Sequence, residues 1–353
     1  MTTIRHRSPR LVVFLLDDLG VTVRTSSTEE RPSPPVPPAV ARPRRRELAA
    51  VAVAVVLAAG VAVALVLDNG GSSSADPGLP TPTSTAAEAD RLTWAPPALK
   101  DPLTVTVTAS SNKIELDPDR DYILKLPASP LVVKGGVRIE GGRHVVIVGG
   151  EIAVPPRSEA PEPRDRTGLL LKNQTGTVHV EGLRISGADL AEGIDLDQGR
   201  GATVVLQNIA VDEVRGSRDG HHADILQTWA GPSTLRIDGL TGATEYQGFF
   251  LLPQQFSSTP PDAFDLRRIV ITGASGGENG GAAYLLWADS SAPYITAQDI
   301  VLVDQRTDLR GILRPFNVWE GGVLLQPTAD GAKLPEGVPG VGYISPGYQK
   351  AAS

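Results

Sequence analysis

One short phrase recurs six times along the second half of this 353-residue chain. A run of alternating apolar residues meets a Gly-Leu or X-Ile step and then a polar turn. The phrases put Gly149, Gly182, Asn208, Gly239, Arg268 and Asp299 at equivalent positions, spaced 33, 26, 31, 29 and 31 residues apart. A β-rich unit of that length cannot bury its apolar face alone, so repeats of roughly 20–50 residues stack into a solenoid.

From Pro102 onward the sequence between the phrases is strand-like. LTVTVT (from Leu103), YILKL (from Tyr122), VRIEG and HVVIVGG alternate or run apolar between Gly, Pro and Asp, and no amphipathic helix of useful length interrupts them. A second column aligns one strand per coil: GLLLKN from Gly168, GIDLDQ from Gly193, DILQTW from Asp224, GFFLLP from Gly248 and AYLLWA from Ala283. It predicts an inward stack of Leu169, Ile194, Ile225, Phe249 and Tyr284. Two residues on, the period-2 rule predicts a second inward stack of Leu171, Leu196, Gln227, Leu251 and Leu286. Residues 155–167 and 257–263 read as outward loops, and the chain after Asp304 as a cap on the C-terminal end.

Residues 48–67 read LAAVAVAVVLAAGVAVALVL, twenty residues without a charge. At the helical rise they span about 30 Å, the thickness of a bilayer's hydrocarbon core. Arg42, Arg44, Arg45 and Arg46 precede the run, so the positive-inside bias puts the N-terminus in the cytoplasm and the rest of the chain outside a cell membrane. A 47-residue leader and so long an apolar run fit a retained signal anchor better than a cleaved signal peptide. Residues 1–47, Pro-rich towards their end, read as a disordered cytoplasmic tail. Residues 68–100 read as a Gly/Ser/Pro/Thr stalk, 101–325 as the solenoid and 326–353 as a C-terminal cap or tail.

With no cysteine in the chain, disulfides, thiolate catalysis, zinc–cysteine sites and a lipoprotein anchor are excluded. Charge divides unevenly, with nine Arg against five acids in residues 1–47 but 22 basic against 31 acidic residues in 101–353. Such an acidic domain repels phosphate backbones, so nucleic acid is not an expected partner.

On these residues the chain resembles the right-handed parallel β-helix, pectate-lyase-like superfamily, over about 101–325. It is most similar to exported bacterial proteins with a His-x-Asp-x-x-Gln coil, here His222, Asp224 and Gln227 in GHHADILQTW. The resemblance implies an all-β right-handed parallel β-helix (solenoid) ectodomain, which the apolar run of residues 48–67 would precede as one transmembrane helix. It further implies polysaccharide as the partner class, since the superfamily includes polysaccharide lyases, glycoside hydrolases and epimerases. The chain lacks the Asn-Thr-Asp and Gly-His-Gly of polygalacturonases and the Asp-His with paired Arg of pectate lyases, so no catalytic residue carries over from those enzymes.

The candidate site therefore rests on placement. With Ile225 and Leu196 inward, His222, Asp224, Asp195 and Asp197 face out. Asp195 and Asp224 then lie one coil and two positions apart, with Cα atoms about 8 Å from each other, within reach of the carboxyl separations of glycosidases. The residues before this coil bring Asp212, Glu213, Arg215, Arg218, Asp219 and His221, and the next coil brings Tyr246, Phe250, Gln254 and Gln255.

Hydrolysis would use two of Asp224, Asp195 and Asp197 as acid and base or nucleophile. β-Elimination would use His222 or Arg218 as base, with Ca²⁺ on Asp195, Asp197 and Asp224 neutralising a uronate. Tyr246, Gln227, Trp229, Phe250 and Trp287 are the expected substrate-binding residues. The bland alternatives are solvated carboxylates at Asp195 and Asp197, turn-stabilising histidines, an Asp224 bonded to backbone amides, and aromatics that pack loops. Gln227 is the odd member of an otherwise leucine stack, since a buried amide must be paired or emerge. A non-catalytic surface module that binds glycan or protein, and a bare structural spacer, are the competing functions.

Overall fold

The computed structural model describes residues 87–274, 283–292, 294–319 and 322–350. These residues form an all-β parallel solenoid. One sheet stacks Lys113–Leu116, Val137–Gly141, Thr167–Lys172, Glu192–Asp197, Asp224–Ala230, Gln247–Leu251, Leu286–Ala288 and Leu313–Arg314, each parallel to the next. The other carries the longer strands, among them Thr203–Val214, Thr234–Thr244, Ala263–Gly273 and Tyr294–Val303. Among the described residues the one α-helix is the single turn Phe316–Trp319. No described helix is long and apolar enough to cross a membrane. The expected anchor at residues 48–67 and the tail before it lie outside the described residues.

The six repeat positions form one column in space. Gly149, Gly182, Asn208, Gly239, Arg268 and Asp299 all have left-handed backbone, with φ of 68°, 65°, 50°, 79°, 51° and 52°. The pairs Gln207↔Asp238 and Ile209↔Leu240, then Asp238↔Arg267 and Leu240↔Ile269, bracket three of them in consecutive coils. Each such residue bends its strand so that both halves stay in the ladder. Glycine adopts this conformation without strain, whereas Asn208, Arg268 and Asp299 bear it for the contacts of their side chains.

Those contacts hold a strap. Residues after 332 do not cap the solenoid end as expected; they run back along the left-handed column. Lys333 Nζ meets Asp299 at 2.9 Å, and Asn208 Nδ2 donates to the Glu336 and Gly337 carbonyls. Tyr343 lies across Gly182, where a Cβ would stand 2.1 Å from its Cδ1. Tyr343 and Tyr348 hydroxyls donate to the buried Glu181 carboxylate. The first described residues join the same flank, ahead of the expected domain start at 101. Leu92 is buried between Gly347 and Gln349, and Arg268 ties Asp238 to the Ala89 and Arg91 carbonyls.

Inside, Leu169, Ile194, Leu226, Phe249, Leu286 and Leu313 stack in register, with Leu171, Leu196, Thr228, Leu251 and Ala288 as the second row. Burying each large member stabilises the fold by about 1.5–3 kcal/mol. The expected column thus slips by one residue at Ile225 and by two at Tyr284. Glycine marks the preceding position in three coils (Gly168, Gly193, Gly248) but not in DILQTW, where Ile225 fills it. Ile225 and Leu226 are both fully buried, so hydrophobicity alone does not choose between the registers.

Candidate functional site

The slip rearranges the site. Asp195 pairs with Gln227, so Asp224 lies three positions before Asp195's partner rather than two. Gln227 faces outward, in the column Leu170, Asp195, Gln227, Phe250, Trp287 and Arg314. It is half-buried, which resolves its misfit among leucines. Asp224 and Asp195 are not solvated wall positions: they are 1% and 5% exposed.

Just ahead of the glycine column stands a polar one. Thr167 pairs with Glu192, and Asp224 with Gln247. The Asp224 amide donates to Glu192 Oε2 at 2.9 Å, joining the two pairs across four coils. Glu192 is 7% exposed and Gln247 2%. Glu192 was missed by sequence reasoning, although it stands one residue before Gly193 as Gln247 stands before Gly248, a signal that was available.

Asp195 Oδ1, both Asp224 carboxylate oxygens and Gln247 Oε1 are buried without a hydrogen-bond partner. Charge is costly in such a place. Burial, and then the neighbouring Asp224 and Asp195 charges, raise Glu192 well above the carboxylate range, against the Asp224 amide. Burial and then the Asp195 charge do the same to Asp224. Burial pushes Asp195 up to about 7. His221 Nε2 lies 2.9 Å from Glu192 Oε1, off the line of a hydrogen bond, and burial lowers its pKa. The two shifts agree on an uncharged His221–Glu192 pair.

Residues 215–223 loop beside this core. Ser217 N–H donates to the His221 carbonyl, and His222 Nε2 meets the Arg218 carbonyl at 3.0 Å. A cavity of about 610 Å³ lies on one side of the loop, lined by Arg218, Tyr246, Gln247, Tyr284, Trp287 and Arg314 among others. A second, of about 640 Å³, is lined by Arg157, Arg166, Asp189, Arg215 and His221, and shares Gly216, Ser217 and Glu245 with the first.

Of the expected binding residues, Tyr246 lines the first cavity and stacks on His222 at 5.1 Å, and Phe250 packs on Trp287 at 4.6 Å. Trp229 stands at a register shift and lines neither cavity. Arg218 is exposed at the cavity lining rather than beside the carboxylates. The expected calcium set is not brought together. Asp197 pairs with Ala230, six residues past Asp224, and its carboxylate meets Lys172 Nζ at 3.3 Å. Among the described residues no three His, Cys, Asp or Glu side chains are arranged to hold a metal ion.

Neutral buried acids beside an aromatic cleft can donate protons. No known family, curated protein or solved structure matches the chain.

Proposed function

We propose that the solenoid acts on polysaccharide as a glycoside hydrolase, at the surface of a cell to which residues 48–67 anchor it. One observation carries the proposal: Asp224 and Glu192 are locked together in adjacent coils, buried and raised in pKa, next to a cleft with aromatic walls. A protonated carboxyl is what a glycosidic oxygen needs in order to leave, and Asp195, in the outward column beside Gln227, is the partner base or nucleophile. The same protonation disfavours β-elimination, which calls for a base and a cation. The resemblance to the pectate-lyase-like superfamily and the Arg-flanked apolar run support an exported, membrane-tethered polysaccharide enzyme.

The test is the full-length chain against a polysaccharide panel, reading reducing ends and unsaturated-uronate absorbance. Wild type should release reducing ends without unsaturated products, and Asp224→Asn should lower the rate about 10²–10⁴-fold. Equal silence of wild type and Asp224→Asn on every glycan defeats the proposal.

A non-catalytic glycan-binding wall is the second function, and one observation favours it. Asp224 is closed off from solvent, whereas the Phe250–Trp287 wall is already half-open. It predicts binding without turnover.

A further inference from the structure

Arg166 lines the second cavity beside the 215–223 loop although the residue is only 3% exposed. Its guanidinium donates from Nε to the Asp189 carbonyl at 2.7 Å, and from Nη1 to the Ala160 and Pro161 carbonyls at 2.6 and 2.8 Å. Those carbonyls fix the side chain but are neutral, and a buried charge ordinarily sits against an opposite one. Among the described residues Arg166 has no ion-pair partner, and its Nη2 has no acceptor. The nearby acids are committed elsewhere. Asp165 meets Lys134 at 2.9 Å, the Asp189 carboxylate accepts from the Arg157 amide at 3.0 Å, and Glu245 meets Arg215 at 3.4 Å. Arg157, exposed on the same lining, adds a second positive charge with no ion-pair partner among the described residues. Burial, and then the Arg157 charge, hold the Arg166 guanidinium below its usual pKa, ahead of the opposing pull of Asp189, Asp165 and Glu162.

Donors reach this cavity from two rims. Arg157 and Arg166 belong to the loop of residues 155–167, and Arg215 and Ser217 to the loop beside Glu192 and Asp224. An anion with oxygens pointing in several directions suits such a ring, and a guanidinium as little exposed as Arg166 admits only a compact group. We infer that the cavity is a binding site for an inorganic tetrahedral oxyanion, phosphate or sulfate, which neutralises the charge of Arg166 and ties the 155–167 loop to the 215–223 loop. The domain as a whole is acidic, but two guanidinium charges beside a partly buried site set the local field. The inference stands whether or not the chain acts on polysaccharide.

The test titrates the full-length protein by calorimetry with sodium phosphate and with sodium sulfate, against sodium chloride at equal ionic strength. At least one oxyanion should bind at a single site where chloride does not. Adding that ion should slow hydrogen exchange in residues 157–166 and 215–223 together. Arg157→Gln should weaken binding about tenfold, the weight of one charge-assisted hydrogen bond, and Arg157→Lys should restore part of it. Arg166→Gln should abolish binding; where that variant does not fold, the two Arg157 variants decide. No oxyanion binding beyond that of chloride overturns the inference. Binding that Arg157→Gln leaves unchanged reports an adventitious ion only and overturns it too. So does displacement of the ion by a galacturonate tetramer, which would assign the cavity to glycan instead.

Discussion

The backbone amide of Asp224 points at Glu192 Oε2, 2.9 Å away in the preceding coil. The strand ladder fixes both residues, so the amide of one and the carboxylate of the other meet because two coils stack in register and not because flexible loops bring them together. A hydrogen bond to a carboxylate ordinarily favours its ionised form, yet here burial and neighbouring charge outweigh it.

Asp195 gives this a measurable sign. Its native pKa of about 7 lies above the ordinary 3.8, so the folded protein binds more protons than the unfolded chain between those values. The group's contribution is full below about pH 4 and is lost as pH rises towards 7. Glu181 works the other way: burial opposes its ionisation, but His179, Ser345 and Tyr348 hold its pKa low, so its contribution fades in acid. Thermal denaturation should therefore show melting falling from pH 5 to pH 8 in wild type. Asp195→Asn should flatten that slope and melt higher than wild type at pH 8; an unchanged slope would contradict the assignment.

Gly216 lets the 215–223 loop fold closely onto its own returning segment at His221 and Ala223. A Cβ there would stand 2.3 Å from the His221 carbonyl oxygen and 2.7 Å from Ala223 Cβ, so Gly216→Ala must push the 215–223 loop outward. Carbodiimide labelling read by mass spectrometry should find Asp224 and Glu192 protected in wild type. Labelling should rise several-fold in the variant with the melting point little changed. Equal protection would show that the loop is not what closes the site.

The strap depends on Gly182 twice, through its φ of 65° and through the Tyr343 ring above it. Gly182→Ala adds strain of about 1–3 kcal/mol for the backbone alone and displaces Tyr343 as well. Limited proteolysis should then cut residues 333–350 well before the coils, whereas in wild type the strap should survive as long as they do.

Arg268 and Asp238 form a buried ion pair. Arg268→Met leaves the buried Asp238 carboxylate with only the Thr93 amide as partner and should cost about 3–5 kcal/mol in denaturant melts. The double variant with Asp238→Leu should recover much of that loss. A double variant no better than the single one would mean that the arginine's bonds to Ala89 and Arg91 carry the effect.

The left-handed column was legible because its repeat is set by backbone geometry, which tolerates few residue types. The site column was legible only as far as glycine marked it. At DILQTW two adjacent buried aliphatics satisfy either register, and the register with Ile225 inward in place of Leu226 would turn Gln227 inward and Asp224 to the surface. The strap was not legible, since GVPGVGYISPGY carries turn residues but no periodic face. Only in the folded chain do Tyr343 and Tyr348 meet a glutamate some 160 residues earlier.

The clasp between Leu92 and residues 347–349 has a mechanical corollary. Polypeptide enters the domain on its flank, where the Thr93 and Trp94 amides grip Asp238 and Gln207, and not through the first rung. Tension arriving from residue 87 is thus spread in shear over several rungs at once. The spiral would be spared peeling from its end until that lateral seam gives way.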